Sequence, residues 1–228
     1  MTISLLEIVD FLNEIVYFHF MRATHTIESI FGTRGRTRVL RVLRDAHVPL
    51  QAAQVGRSAG LTRPAAAAAL DELERIGLVG SSRVGRSNAY WLIRENIYVE
   101  RIVEPVFLAE ENMGEELERE IRDAFAPLCV SVVIFGSYAR YQQEPSSDVD
   151  IVLVAADPAA KHEVEEATLA ECSRFYRRWG TTLSPLVYDL AYAANLHETS
   201  PGLYGSIAHD GIVVSGLWPY EWRTHASE

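Results

Sequence analysis

Two hydrophobic rhythms divide the 228-residue chain. Up to about residue 125 apolar positions recur every three or four residues, the period of an amphipathic helix. Beyond residue 128 they arrive as short β-branched runs, the mark of buried strands. At the start, Leu5, Ile8, Leu12 and Ile15 share one helical face and Glu7, Asp10 and Glu14 the other. An amphipathic helix is therefore expected within residues 1–30, covering a domain or pairing with a second copy. TRVLRVLRDA repeats Val39, Leu40, Val42 and Leu43 at helical spacing, and PLQAAQVGRSAG makes a short helix ended by Gly60. Thr62 is placed to cap the next helix, with Pro64 in the first turn where its missing N–H costs nothing. That helix buries Leu70, Leu73 and Ile76 and stops at Gly77, and LVGSSRVGRSNAYWLI follows as two strands around Val84–Ser87.

Residues 96–112 read as a helical linker, apolar at helical spacing until Pro105, and MGEELEREIRDAFAPL as an acidic helix ending at Pro127. Runs 129–135 and 149–155 then predict two buried strands, joined by a short helix at GSYARYQQE and a turn at EPSSD. A long helix over 162–179, a strand at TTLSPLVYD, a helix at SPGLYGSIAHD and a strand at GIVVSG complete a mixed sheet flanked by helices. Trp218, Tyr220 and Trp222 in the tail 217–228 are expected to pack against that domain.

Composition describes a globular chain, 48% hydrophobic with mean hydropathy near zero. Cys129 and Cys172 have no metal-like spacing and read as reduced core residues, which suits the cytoplasm. The N-terminus lacks a basic region and a small-residue cleavage site, so neither targeting nor a membrane is indicated. Charge is uneven. Residues 31–95 hold eleven arginines against five acids, a balance of +6, whereas the whole chain carries −10. A basic block in an acidic chain points to a module that faces a polyanion.

Helix, helix, turn, helix and hairpin in that order resemble the winged helix-turn-helix regulators of bacteria, over residues 34–94 within a domain 31–95. The resemblance implies double-stranded DNA as partner, with the helix after the turn in the major groove and the wing along the backbone. That helix would present Arg63, Ala66, Ala67 and Asp71, of which only Arg63 can make a bidentate base contact. Arg83 and Arg86 on the wing, and Arg34, Arg36 and Arg38 on the entry helix, are candidate phosphate contacts. Dimerisation through the winged helix or the N-terminal helix is the competing use of such a module.

The second half carries the sharper chemistry. Asp148 and Asp150 flank Val149 at the head of an apolar strand, so both project to one side, roughly 7 Å apart. Two carboxylates beside an apolar core are costly unless a cation neutralises them, and hard oxygen ligands select Mg²⁺ or Mn²⁺. The Gly136-Ser137 turn supplies backbone N–H groups and a hydroxyl suited to phosphate. Gly-Ser, ten residues and Asp-x-Asp within strand–turn–strand resemble the nucleotidyltransferases of the DNA polymerase β superfamily, over residues 113–216. The small nucleotidyltransferases of that superfamily include antitoxin components.

The resemblance assigns Asp148 and Asp150 to the metal, and Gly136, Ser137 and Arg140 to the nucleotide. It implies transfer of a nucleoside monophosphate from an NTP to an acceptor. Two departures stand out. Family members often carry glycine where this chain has Tyr141. The third carboxylate of the family, usually on the following strand, has Asp189 as its candidate, and Asp189 equally suits the N-cap of the helix AYAANLHE. The expected architecture is α+β, an N-terminal winged helix-turn-helix joined to a nucleotidyltransferase-fold domain. Its function is either metal-dependent nucleotidyl transfer tethered to DNA, or DNA-binding regulation in which the second domain only binds nucleotide or a toxin-like protein partner.

Overall fold

A computed structural model describes residues 26–142 and 147–226. Most of the expected N-terminal helix, and part of the turn before Asp148, lie outside the described residues. The chain divides into two compact units, Met1–Asn112 and Met113–Glu228.

In the first unit, α1 (Thr26–Phe31) and α2 (Arg34–Asp45) are followed by β1 (Leu50–Gln51), α3 (Ala52–Ser58) and α4 (Arg63–Arg75). The hairpin β2 (Val79–Val84) and β3 (Ser87–Leu92) closes it, in a three-stranded sheet of order β1-β3-β2. Thr33 caps α2 by accepting from the Arg36 amide. Thr62 occupies the N-cap of α4, yet its side chain makes no capping hydrogen bond. This is the winged helix-turn-helix order. Leu40, Leu43, Leu70, Leu73 and Leu92 meet in its core, as helical and strand periodicity require. The core also takes Val99, Val103 and Phe107 from beyond the hairpin.

Val99 and Val103 ride on a π-helical turn, Val99–Val103, that runs directly into α5 (Glu104–Phe125), which carries Phe107. The sequence suggested a break at Pro105, and none occurs. A π turn leaves backbone groups out of the regular i−4 ladder, so a proline just after it forfeits little hydrogen bonding. Glu104, Glu110 and Glu111 of α5 pair with arginines of α2 and β3's end: Arg44 with Glu104 and Glu111, Arg41 with Glu110 at 2.7 Å, and Arg94 with Glu104 at 3.0 Å.

The second unit holds a four-stranded mixed sheet of order β6-β5-β4-β7. Its strands are β4 (Ser131–Phe135), β5 (Val149–Ala155), β6 (Leu183–Asp189) and β7 (Ile212–Gly216). β4 is antiparallel to β5 and β7, and β5 is parallel to β6. The crossover from β5 to β6 is α7 (Pro158–Trp179), which begins earlier than its hydrophobic pattern suggests because Asp157 caps it and Pro158 opens it. The second part of α5 and α7 bury Leu117, Ile121, Phe125, Val164 and Phe175 against Val132, Ile134, Ile151 and Leu153 on one sheet face. The other face, with Val133, Phe135, Val152 and Val154, is covered by α8 (Leu190–Ala194), α9 (Leu196–Thr199), α10 (Pro201–Asp210) and Trp222 of α11 (Trp222–His225). Pro185 is tolerated in β6 because that strand is an edge. In the tail Trp222 is fully buried, whereas Trp218 and Tyr220 stay half exposed or more.

Candidate functional site

Strand alternation and turn geometry build the site at one end of the second sheet. β4 ends at Phe135 and passes into α6 (Gly136–Ala139), a single helical turn. Antiparallel pairing sets Phe135 opposite Asp150, so the turn that follows Phe135 lies over the head of β5. Gly136 adopts φ +75°, and a Cβ built there would fall 2.2 Å from Asp150 Oδ2. Glycine is thus required twice, for the left-handed backbone and for the approach of the main chain to the carboxylate. One turn of helix has little dipole, so the turn offers a phosphate its backbone N–H groups and the Ser137 hydroxyl. That hydroxyl is half-buried, and no hydrogen bond is made by it among the described residues.

Asp148 is exposed, Val149 buried and Asp150 half-buried, as alternation predicts for two acids on one side of a strand. Burial pushes the Asp150 carboxyl above its usual range, the neighbouring Asp148 charge pushes it the same way, and the Arg140 guanidinium opposes both. Arg140 also lies 3.7 Å from Asp210 and donates to Gln142 at 3.4 Å. Burial and a like charge both disfavour the ionised form, a cost that a cation beside the pair would relieve. The donor set of hard oxygens, with a main-chain cradle that a Cβ would fill, fits a divalent metal carrying phosphates.

The third carboxylate does not join them. Parallel pairing sets Ser184 opposite Asp150, and Asp189 opposite Ala155, five residues and roughly 16 Å further along β6. Asp189 Oδ1 accepts from the Tyr192 amide at 2.8 Å, which makes it the N-cap of α8. Of the two readings left open by the sequence, geometry supports the cap. Among the described residues no cluster of three or more His, Cys, Asp or Glu could hold a metal ion. Two residues that the sequence did not single out sit where β6 passes the pair. Thr182 donates its hydroxyl to Asp148 Oδ1, and Ser184 faces Asp150. Only the register of a parallel pair, invisible in one sequence, could have found them.

In the first unit Arg63 opens α4 and is exposed, as are Arg38, Arg83 and Arg86. Arg38 contacts the Gly60 carbonyl at 3.5 Å, and Arg83 the Gly85 carbonyl at 3.5 Å within the wing turn. Two expectations are corrected. Arg36 is engaged by Glu72 and by the carbonyls of Glu28 and Ser29, so its guanidinium holds α1, α2 and α4 together and is not offered to a ligand. Ala66 is fully buried in the core, and the exposed face of α4 carries Arg63, Ala65, Ala68 and Asp71. Cys129 and Cys172 are free thiols, and burial pushes Cys129 up to about 12, far from reactivity. Among the described residues no helix is long and apolar enough to cross a membrane.

Comparison with known proteins bears on the second unit. Residues 115–208 match the family model of the nucleotidyltransferase domain. No curated protein matches the chain. Solved structures similar to it include a toxin–antitoxin complex with AMP-PNP, at 20% identity and TM-score 0.32, covering 50% of this chain and 82% of that one. They also include a MarR family transcriptional regulator from Silicibacter pomeroyi, at 18% identity and TM-score 0.32, covering 48% and 77%. The PcaV transcriptional regulator from Streptomyces coelicolor is similar at 25% identity and TM-score 0.28, covering 54% and 98%. Overlaps this loose transfer no residue role. The residues matched to the nucleotidyltransferase domain lie in the second unit, and the winged helix-turn-helix order lies in the first.

Proposed function

We propose that the second unit binds a divalent metal–NTP complex and transfers the nucleoside monophosphate to an acceptor, while the winged helix brings the site to DNA. The observation that carries this reading is Asp150 pressed against the left-handed Gly136 turn, with Asp148 two residues away at the head of the same strand. Asp148 and Asp150 would hold Mg²⁺ or Mn²⁺, and Ser137 with the Gly136 turn would bind the triphosphate, beside Arg140. When bound, the metal would neutralise charge on the phosphates and on the carboxylate pair. Thr182 keeps Asp148 oriented by its hydroxyl hydrogen bond, and Gly136 lets the main chain close on Asp150. On the winged helix, Arg63 would reach a base edge and Arg38, Arg83 and Arg86 phosphates.

A second reading is favoured by a specific observation. The β6 residue facing Asp150 is Ser184, and the nearest carboxylate on that strand is committed to capping α8. No side chain on β6 is placed to deprotonate an acceptor hydroxyl. On this reading the chain is a DNA-binding regulator whose second unit holds nucleotide, or a protein partner, without turning it over.

Calorimetric titration of Mg·ATP, Mg·GTP, Mg·CTP and Mg·UTP into the wild type and into Asp148→Asn/Asp150→Asn tests the site. Metal-dependent binding lost in the variant is the expected result, and equal or absent binding in both refutes it. Parallel incubation with labelled NTP, nucleic acid and protein separates the two readings. Label in any acceptor supports transfer, and binding without label supports the regulator.

A further inference from the structure

Tyr141 is the one described residue other than glycine with positive φ, +55°. It sits just past α6, where the Gln142 amide donates to the Ser137 carbonyl at 2.9 Å and the Tyr141 amide to the Tyr138 carbonyl at 2.9 Å. A helix end of this kind calls for a left-handed residue, and glycine fills it without strain. Tyrosine there crowds its Cβ against its own backbone, a cost that packing normally offsets. Among the described residues no packing does. The side chain is 90% exposed, and no hydrogen bond or ring contact is made by it among the described residues. The described part of the fold therefore draws no packing from a phenol ring that follows closely on the Gly136-Ser137 turn.

We propose that Tyr141 is the stacking platform for the base of the nucleotide, and so a positioning residue for the NTP. The inference rests on the reading of Asp148, Asp150 and Ser137 as the metal–phosphate site. The hydrogen bond from Gln142 to Ser137 closes a short ring of chain around Tyr141. It fixes the Tyr141 backbone four residues from Ser137, the residue assigned to the phosphates. A flat, exposed aromatic surface suits a base by its π face, the mode that tolerates different bases and favours the larger purine stack.

The test compares Mg·ATP with Mg·tripolyphosphate, which keeps the phosphates and lacks the base, by calorimetry on wild type, Tyr141→Gly and Tyr141→Phe. Thermal unfolding is recorded on all three. The expected result is about tenfold weaker ATP binding in Tyr141→Gly, with tripolyphosphate unchanged, near-normal ATP binding in Tyr141→Phe, and an unfolding midpoint no lower than that of the wild type in Tyr141→Gly. Unchanged ATP binding in Tyr141→Gly overturns the proposal. So does a fall in the midpoint together with equal losses for ATP and tripolyphosphate, which would make the ring a structural element of the turn. A wild type that binds neither compound refutes the phosphate site itself. That outcome is distinct from one in which tripolyphosphate binds and the base adds nothing.

Discussion

Replacing Gly136 by alanine separates two demands that the site makes of one residue. The backbone there has φ +75°, and a left-handed alanine costs about 1–2 kcal/mol. The new methyl would also lie 2.2 Å from Asp150 Oδ2, 3.1 Å from Cγ and 3.3 Å from Cβ, so the carboxylate must swing off its present line. Gly180 provides the control. It closes α7 at φ +69°, and a Cβ there meets nothing within 4 Å. Gly180→Ala should therefore show the backbone cost alone, about 1 kcal/mol in urea unfolding, with Mg·ATP binding intact. Gly136→Ala should show that cost plus the clash, and lose Mg·ATP affinity by about a hundredfold, the scale expected when a liganding group is displaced by an ångström. Adding Asp150→Ala to Gly136→Ala should recover about 1 kcal/mol of stability, because the clash and not the backbone is relieved. Equal stability losses in the two glycine variants, with nucleotide affinity kept in both, would refute the proposed contact between the turn and the carboxylate.

Four further outcomes follow from the same structure. Asp150 has its folded pKa raised, so its contribution favours the native state at acid pH and is lost as pH rises through that raised value. Burial of Asp150 is the larger cause of that rise, and the exposed Asp148, roughly 7 Å away, adds a repulsion of about 0.6 kcal/mol as in water. Asp150→Asn should then be more stable than wild type at pH 7 by that order, the gain vanishing at pH 3 in paired urea titrations; a destabilised variant at pH 7 would contradict it. Asp189→Ala should cost about 1 kcal/mol by loss of the α8 cap while leaving Mg·ATP affinity unchanged, and a loss of affinity would return Asp189 to the site. Arg63→Ala with Arg86→Ala should weaken duplex DNA binding and lower the slope of log affinity against log salt by about 1, through the lost Arg86 phosphate contact, whereas Arg36→Ala should destabilise the first unit by about 1.5–3 kcal/mol through its lost bonds to Glu72 and two carbonyls.

Much of the fold was legible because each of its elements obeys its own period. Val149 to Ala155 reads as a buried strand and is one, and Gly77 ends its helix as glycine should. Asp148 and Asp150 were legible for the same reason, since alternation alone puts them on one side. What stayed hidden depended on pairing between distant segments. Nothing in TTLSPLVYD announces that Ser184, not Asp189, faces Asp150, because parallel register is set by the crossover helix and the sheet. Arg36 and Ala66 were misplaced for a related reason. Helical spacing gives a face, and only packing tells whether that face meets α1, the core or solvent. Pro105 misled because a π turn, which sequence does not signal, removes the penalty that proline imposes on a regular helix.

The three side chains that the winged-helix core borrows from beyond its hairpin bear on where this chain can be cut. Val99, Val103 and Phe107 are buried there, and Arg41 and Arg44 lie over the Phe107 ring at 4.9 and 5.8 Å. A fragment ending at residue 95 would keep every residue of the winged helix-turn-helix and lose the plug beneath it. The stretch between the motifs is therefore no spacer whose length evolution or an engineer can vary at will. Recombination that exchanged the second unit for another would keep a folded winged helix only by carrying residues 96–112 with it.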